Sequence, residues 1–108
     1  MNTITTQDFQ LLLATQEVTI LDIRDKGAFN EGHLANSLSM PITTLPNHLN
    51  TLSKQHTYYI MSHSGRRARV IAEFLNKQAF DAVAVIGGMK AFRQINVAYE
   101  ETALFLSK

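Results

Sequence analysis

The chain has 108 residues, of which 45% are hydrophobic, and a formal net charge of +1. This length is typical of one globular domain that folds around its own core without cross-links. Because the chain contains no cysteine, disulfides, thiolate metal sites and thiol nucleophiles are excluded. The nearly neutral charge provides no overall attraction for nucleic acid or a membrane surface, and we expect neither as a partner.

The amino-terminal segment has no basic stretch followed by an apolar one, so no signal peptide is visible. The longest apolar runs span only a few residues, far below the ~20 needed to cross a bilayer. No internal repeat or Pro- and Ser-rich linker divides the sequence. We therefore expect one cytoplasmic domain that covers residues 1–108.

The chain opens with a predicted helix and a predicted strand. Residues 5–8, Thr-Thr-Gln-Asp, are typical of a helix-capping sequence. Phe9, Leu12 and Leu13 then recur at helical spacing and predict a helix of about ten residues. The continuous apolar run Val18–Leu21 predicts a strand covered on both faces, as in parallel sheets.

In the middle of the chain, predicted strands alternate with predicted helices. A polar stretch begins at Asp22, and Pro41 indicates a helix that starts there or just after it. Tyr58–Met61 is the next predicted strand, Ser62–Gly65 is a tight loop, and a helix follows from Arg67. The apolar face of that helix is formed by Val70, Ile71, Phe74 and Leu75.

The third predicted strand, Ala82–Ile86, ends at Gly87 and Gly88. A short helix follows, with an apolar face formed by Met89, Phe92 and Ile95. Strands that alternate with helices predict an α/β fold with a parallel-type sheet and helices on both faces. Since ligands of such sheets bind outside the carboxyl ends of the strands, we expect Asp22, Ser62 and Gly87 at one rim.

The loop at residues 62–67 is a candidate anion site. N–H groups at the start of the following helix have no partner inside the helix, and Gly65 permits a positive φ. Arg66, Arg67 and Arg69 add positive charge. The alternative is a plain strand–loop–helix connection with solvated arginines. The residues of the candidate loop are Ser62, His63, Ser64, Gly65, Arg66 and Arg67.

Three segments together resemble the rhodanese family in order and spacing, over about residues 3–93. The first, Leu21–Pro41, contains Asp22-Ile23-Arg24 and Gly32-His33. The second, Tyr59–Ala68, is similar to the family's active-site loop, C-x-x-G-x-R-[ST]. The third, Val85–Phe92, is similar to its closing G-G-[MIF]-x-[AE]-[WF] segment.

The resemblance implies a mostly parallel five-stranded sheet flanked by helices. Family members are sulfurtransferases that carry sulfur as a persulfide on the loop cysteine, from thiosulfate or a similar donor to cyanide or another thiophilic acceptor. For this chain it implies that Arg67 and the loop N–H groups stabilise a small anion or a sulfur-containing donor or acceptor, with no cofactor. It also implies structural support from Asp22, Arg24, His33, Gly87 and Gly88.

Ser62 stands where the family keeps its nucleophilic cysteine, and Ala68 stands where Ser or Thr is usual. An alcohol stays protonated where a thiol would ionise, so we expect no persulfide turnover. Three interpretations stay open. The chain is a pseudoenzyme that keeps the anion-binding loop, an active thiosulfate sulfurtransferase whose cysteine was changed to serine, or a non-catalytic interaction or sensor domain.

Catalytic or metal-binding roles for several single residues are disfavoured. Adjacent side chains in a tight loop point apart, so His63 is a poor base for Ser62. Asp22 is expected to be structural rather than catalytic, and His33, which has no second ligand at a suitable spacing, is not expected to bind metal. Four residues separate Ser62 from Arg67, one fewer than in related phosphatase loops, which disfavours phosphatase activity.

Residues 94–108 lie beyond the resemblance. Their spacing of apolar and polar residues predicts an amphipathic final helix, carried by Val97, Glu101, Leu104 and Phe105. This helix would pack back on the domain or form a homodimer contact.

Overall fold

The structure is a computed structural model that describes residues 2–96 and 105–106. Its strands are β1 (Thr3–Ile4), β2 (Thr19–Asp22), β3 (His33–Leu34), β4 (Ser37–Ser39), β5 (Thr57–Met61), β6 (Asp81–Val85) and β7 (Phe105–Leu106). Its helices are α1 (Thr6–Thr15), α2 (Lys26–Glu31), α3 (Arg66–Lys77) and α4 (Gly88–Asn96), and a 3-10 helix spans Leu45–Thr51.

Five strands form one sheet in the order β1-β6-β5-β2-β4. Each pairing in it is parallel, with Leu21 opposite Ile60 and Ile60 opposite Ala84 in the central strands. This confirms the predicted parallel sheet. Because β5 lies at the centre, the loop that follows it leaves the middle of the carboxyl rim.

The helices cover both faces of the sheet, as predicted. On one face α3 and the 3-10 helix pack over a cluster that includes Leu21, Tyr58, Ile60, Ala72 and Leu75. On the other face α1 and α4 pack over a cluster that includes Phe9, Ile20, Met61, Met89 and Phe92. Consecutive residues of a strand point to opposite faces, so the continuous apolar run at Ile60-Met61 supplies both cores.

The predicted helix after Thr5 is confirmed, and the Thr5 Oγ accepts a hydrogen bond from the Asp8 N–H at 3.1 Å. The helix predicted to start near Pro41 is instead a 3-10 helix that begins at Leu45, with Pro46 in its first turn. Pro favours the first turn of a helix because its missing N–H is not needed there. Among the described residues, no helix is long and apolar enough to span a membrane.

Asn76 continues the hydrogen bonding of β6 beyond the start of the short strand β1. β1 pairs only with Ala84 and Val85. The side-chain amide of Asn76 donates to the Ala82 carbonyl oxygen and accepts from the Ala82 N–H, both at 2.9 Å. The amide therefore occupies the position that a longer β1 would take, and it ties α3 to the sheet.

The predicted helix over residues 94–108 is wrong at its end. Phe105–Leu106 forms β7, which pairs antiparallel with β3 and places Phe105 opposite Leu34. Pairing with the backbone of β3 gives these residues a partner that helical spacing cannot reveal. Helix α4 ends at Asn96. The rest of the predicted helix, including Val97, Glu101 and Leu104, and with it the predicted homodimer contact, lies outside the described residues.

Candidate functional site

The loop between β5 and α3 lies at the centre of the carboxyl rim. Ser62 follows the last residue of β5, and α3 begins at Arg66, one residue earlier than predicted. Gly65 caps the helix with φ +93°, and a Cβ at this position would lie 2.5 Å from the Gly87 nitrogen. Only glycine fits both this backbone conformation and this close approach.

The Ser62 side chain is turned into the loop. It is 4% exposed, and its Oγ accepts a hydrogen bond from the Gly65 N–H at 2.9 Å. This bond closes the loop into a ring between its first and fourth residues. The hydroxyl thus occupies the interior of the loop.

Several N–H groups at the start of α3 remain without an acceptor. Inside the described part of the chain, no hydrogen bond is made by the backbone N–H of Ser64, Arg66, Arg67 or Ala68. Within α3 the first N–H with an acceptor belongs to Arg69, which donates to the Gly65 carbonyl oxygen at 3.3 Å. Unpaired N–H groups at a helix start carry partial positive charge, and they favour an anion.

A cleft of about 580 Å³ opens in front of this loop. The loop contributes Ser62, His63, Ser64, Arg66 and Arg67 to its lining. The segments that follow β2 and β4 contribute Ile23, Arg24, Asp25, Ala28, Pro41, Ile42 and Thr43. The site therefore has a cationic side from the loop and a mainly apolar side from the β4 edge of the sheet.

Asp22 and Arg24 form a buried ion pair at the same rim. The Arg24 guanidinium donates to both carboxylate oxygens of Asp22, at 2.9 and 2.7 Å, and to the Gly32 carbonyl oxygen at 2.8 Å. Neither side chain is left with free charge for a ligand, although Arg24 borders the cleft. These contacts tie the end of β2 to the end of α2, which suits a structural role rather than a catalytic one.

His33 also makes structural contacts. Its Nδ1 donates to the Phe29 carbonyl oxygen at 2.8 Å, and its ring stacks on the Phe29 ring with centroids 3.7 Å apart. Within residues 2–96 and 105–106, no three His, Asp or Glu side chains come together as a metal site.

Backbone groups of α4 hold the loop from the other side. The Met89 N–H donates to the Ser62 carbonyl oxygen at 2.9 Å, and the Lys90 N–H donates to that of His63 at 3.0 Å. The Gly87-Gly88 pair brings α4 this close. A Cβ at Gly88 would collide with the Ser62 carbonyl oxygen and lie 2.6 Å from that of His63. The contacts fit the supporting role expected for these glycines.

Sequence reasoning missed the apolar side of the cleft. Ile23, Asp25 and Ala28 follow the end of β2, and Pro41, Ile42 and Thr43 follow the end of β4. Because all strands of the sheet are parallel, a position just after a strand is itself the signal that finds such residues. The predicted meeting of Asp22, Ser62 and Gly87 at one rim agrees with the structure.

Comparison with known proteins agrees with this architecture. The rhodanese-like domain family matches residues 5–95. The thiosulfate sulfurtransferase GlpE of Tolumonas auensis is 26% identical over 93 residues, which span 85% of this chain and 88% of that protein. GlpE of Shewanella oneidensis is 28% identical over 90 residues, 81% of this chain and 89% of that one.

Solved structures show the same arrangement. A rhodanese-like domain protein from Staphylococcus aureus has a TM-score of 0.81 and 34% identity, with 85% of this chain and 91% of that chain covered. The protein SSP1007 from Staphylococcus saprophyticus has a TM-score of 0.82 and 28% identity, with 85% and 93% covered. Because the family matches residues 5–95 and the fold is the same, the chain belongs to the rhodanese family.

Proposed function

We propose that this chain is a rhodanese-like domain that binds a small anion in the loop at residues 62–67 and does not turn over persulfide sulfur. The observation that carries this proposal is the Ser62 hydroxyl, which lies inside the loop and accepts the Gly65 N–H. The chain has no cysteine to take over the role of a sulfur carrier.

Residue 62 carries a hydroxyl oxygen and no sulfur, so the chain can keep the rhodanese fold without sulfur-transfer activity. A cysteine beside a helix N-terminus and arginines ionises readily, and its thiolate attacks the outer sulfur of a donor. An alcohol stays protonated at neutral pH unless a general base activates it. An oxygen atom also forms no stable counterpart of the persulfide, so sulfur cannot be held at residue 62 between a donor and an acceptor.

His63 does not supply the missing base. The His63 side chain is exposed, whereas Ser62 is buried. In the described residues the Ser62 Oγ is bonded to the Gly65 N–H, and no hydrogen bond joins it to the His63 ring. A serine nucleophile would need such a bond to an imidazole.

The anion-binding part of the proposal rests on what the loop retains. The unpaired N–H groups of Ser64, Arg66, Arg67 and Ala68 and the helix dipole of α3 favour negative charge. The exposed arginines at 66 and 67 border the cleft and add two charges. A ligand there would receive charge-assisted hydrogen bonds, which are stronger than neutral ones.

Titration with sulfate and thiosulfate, followed by amide chemical shifts, tests anion binding. Shifts are expected at residues 63–68. Arg67→Ala should weaken binding by about tenfold or more, the usual loss for a hydrogen bond to a charged group. Arg69→Ala is the matched control, since Arg69 lies on α3 outside the lining of this cleft. Absence of binding, or equal losses in both variants, would contradict the proposal.

An assay of sulfur transfer from thiosulfate to cyanide tests the catalytic part. We expect no turnover by the chain itself. In Ser62→Cys the thiolate would attack the outer sulfur of thiosulfate, forming an S–S bond while sulfite leaves with the electron pair of the broken bond. Turnover by this variant would show that only the sulfur-carrying atom is missing. Turnover by the unmodified chain would refute the proposal.

A further inference from the structure

The cleft is much larger than the anion that the loop would hold. Its volume of about 580 Å³ falls within the ~300–1,000 Å³ of sites that take organic ligands. A tetrahedral inorganic anion of five heavy atoms fills only a few times the ~30 Å³ of one water molecule. Most of the cleft would stay filled with water if such an anion were its only occupant.

The side of the cleft away from the loop includes several apolar groups. Ala28, Pro41 and Ile42 border it and are all partly exposed. Ile42 is held in place by its N–H, which donates to the Ile23 carbonyl oxygen at 3.3 Å, and its side chain packs on the core cluster beneath. These residues follow β2 and β4, so they lie on the β4 side of the loop and beside the cationic residues.

The charges around the cleft favour a ligand with a single negative charge. Arg24 is neutralised by Asp22, so among the described residues the arginine charges left free at the cleft are those of Arg66 and Arg67. Asp25 is exposed and lines the same cleft, and its carboxylate caps α2 by accepting the Ala28 N–H at 2.9 Å. This carboxylate offsets one of the two positive charges and repels a second charge on the ligand.

We infer that the cleft accepts an organic monoanion whose sulfonate-like head lies on the loop and whose apolar body, of about four to six carbons, lies along Pro41 and Ile42. This inference rests on the proposed function, because the loop is its anion site. It adds a ligand class to that site: organic sulfur oxyanions in preference to inorganic ones.

A homologous series of alkanesulfonates tests the inference by calorimetry at constant ionic strength. From methanesulfonate to butanesulfonate the affinity should rise about two- to fourfold per methylene, as expected for partial to full burial of each group. Butylammonium, which has the same apolar body and the opposite charge, should not bind. If methanesulfonate and sulfate both fail to bind, the proposed function fails. If methanesulfonate binds and butanesulfonate binds no better, only the present inference is refuted.

Two variants locate the apolar body. Ile42→Thr keeps the branched shape but should lower the affinity for butanesulfonate by about fourfold, roughly the effect of one buried methylene group, and leave methanesulfonate unchanged. Leu38→Thr is the matched control, because Leu38 is exposed on β4 and does not line the cleft.

Thr43→Val is the second variant. Thr43 is exposed beside the cleft, so the change carries no risk to the core, and it should raise the affinity for butanesulfonate. Equal responses of Ile42→Thr and Leu38→Thr, or no gain in Thr43→Val, would overturn the inference.

Discussion

Gly88 lies directly against the carbonyl oxygen of Ser62, so closely that a Cβ at position 88 would collide with that oxygen. The neighbouring Met89 N–H donates to the same oxygen at 2.9 Å. The start of α4 and the loop after β5 therefore form one rigid unit, although they are separated by the whole of α3 and β6.

Gly88→Ala is expected to destabilise the fold and to distort the loop. The residue has φ +61°, which disfavours any side chain, and the collision with the Ser62 carbonyl adds to this strain. We expect a loss of about 2 kcal/mol or more in the free energy of unfolding, measured by denaturant titration. Gly27→Ala is the control, because its Cβ would meet only the Asp25 Oδ1 at 3.4 Å. That change, inside helix α2, should alter stability by less than about 1 kcal/mol. Similar losses in the two variants would argue against the steric account.

Asp22→Asn is expected to leave the Arg24 charge buried without its counterion. Both residues are buried, and both carboxylate oxygens are bonded to the guanidinium. Removal of one partner of such a pair typically costs about 3–5 kcal/mol of unfolding free energy. The double variant Asp22→Leu with Arg24→Leu removes both charges and should lose less than Asp22→Asn alone. A double variant that is the less stable of the two would show that the pair itself stabilises the fold.

Asn76→Ala is expected to expose the edge of β6 next to the start of β1. It removes both hydrogen bonds to Ala82, and a lost bond to a buried backbone group typically costs about 1–3 kcal/mol. Asn76→Asp keeps the acceptor for the Ala82 N–H but places a carboxylate oxygen against the Ala82 carbonyl. Hydrogen exchange should show faster exchange of the Ala82 amide in the alanine variant. Unchanged protection of that amide in Asn76→Ala would contradict this account.

The His33 ring is expected to carry its proton on Nδ1. A carbonyl oxygen only accepts, so the 2.8 Å contact with Phe29 requires a donor at that nitrogen. Nitrogen chemical shifts of the neutral ring report the tautomer directly. A neutral ring protonated on Nε2 would rule out the bond. His33→Phe, which keeps the stacking and loses the bond, should cost about 1 kcal/mol.

The elements that could be predicted are those whose own residues carry a recognisable sequence pattern. Val18–Leu21 and Tyr58–Met61 are apolar runs bounded by polar residues, and they lie within one residue of β2 and β5. The loop was found because Gly65 and the arginines mark a strand-to-helix turn. Helix α3 still starts one residue earlier than expected, at Arg66.

Elements that form only through contacts with distant parts of the chain could not be predicted. β1 has two residues and no periodicity of its own, and it exists because β6 offers it a free edge. The six-residue helix α2 buries none of its side chains, so it leaves no apolar pattern in the sequence. The role of Asn76 depends on where β1 begins, and Phe105 forms a strand because β3 lies within reach. In each case the partner decides the conformation, and the local sequence does not contain that partner.

The place of β1 in the sheet has a consequence for the order of folding. Thr3 pairs with Ala84, and the Ala84 N–H donates to the Asn2 carbonyl oxygen at 3.0 Å, so 80 of the 108 residues lie between the paired residues. Closing so long a loop is entropically unfavourable until the segments between have condensed. A ribosome must therefore release the chain through β6 before β1 can take its place in the sheet.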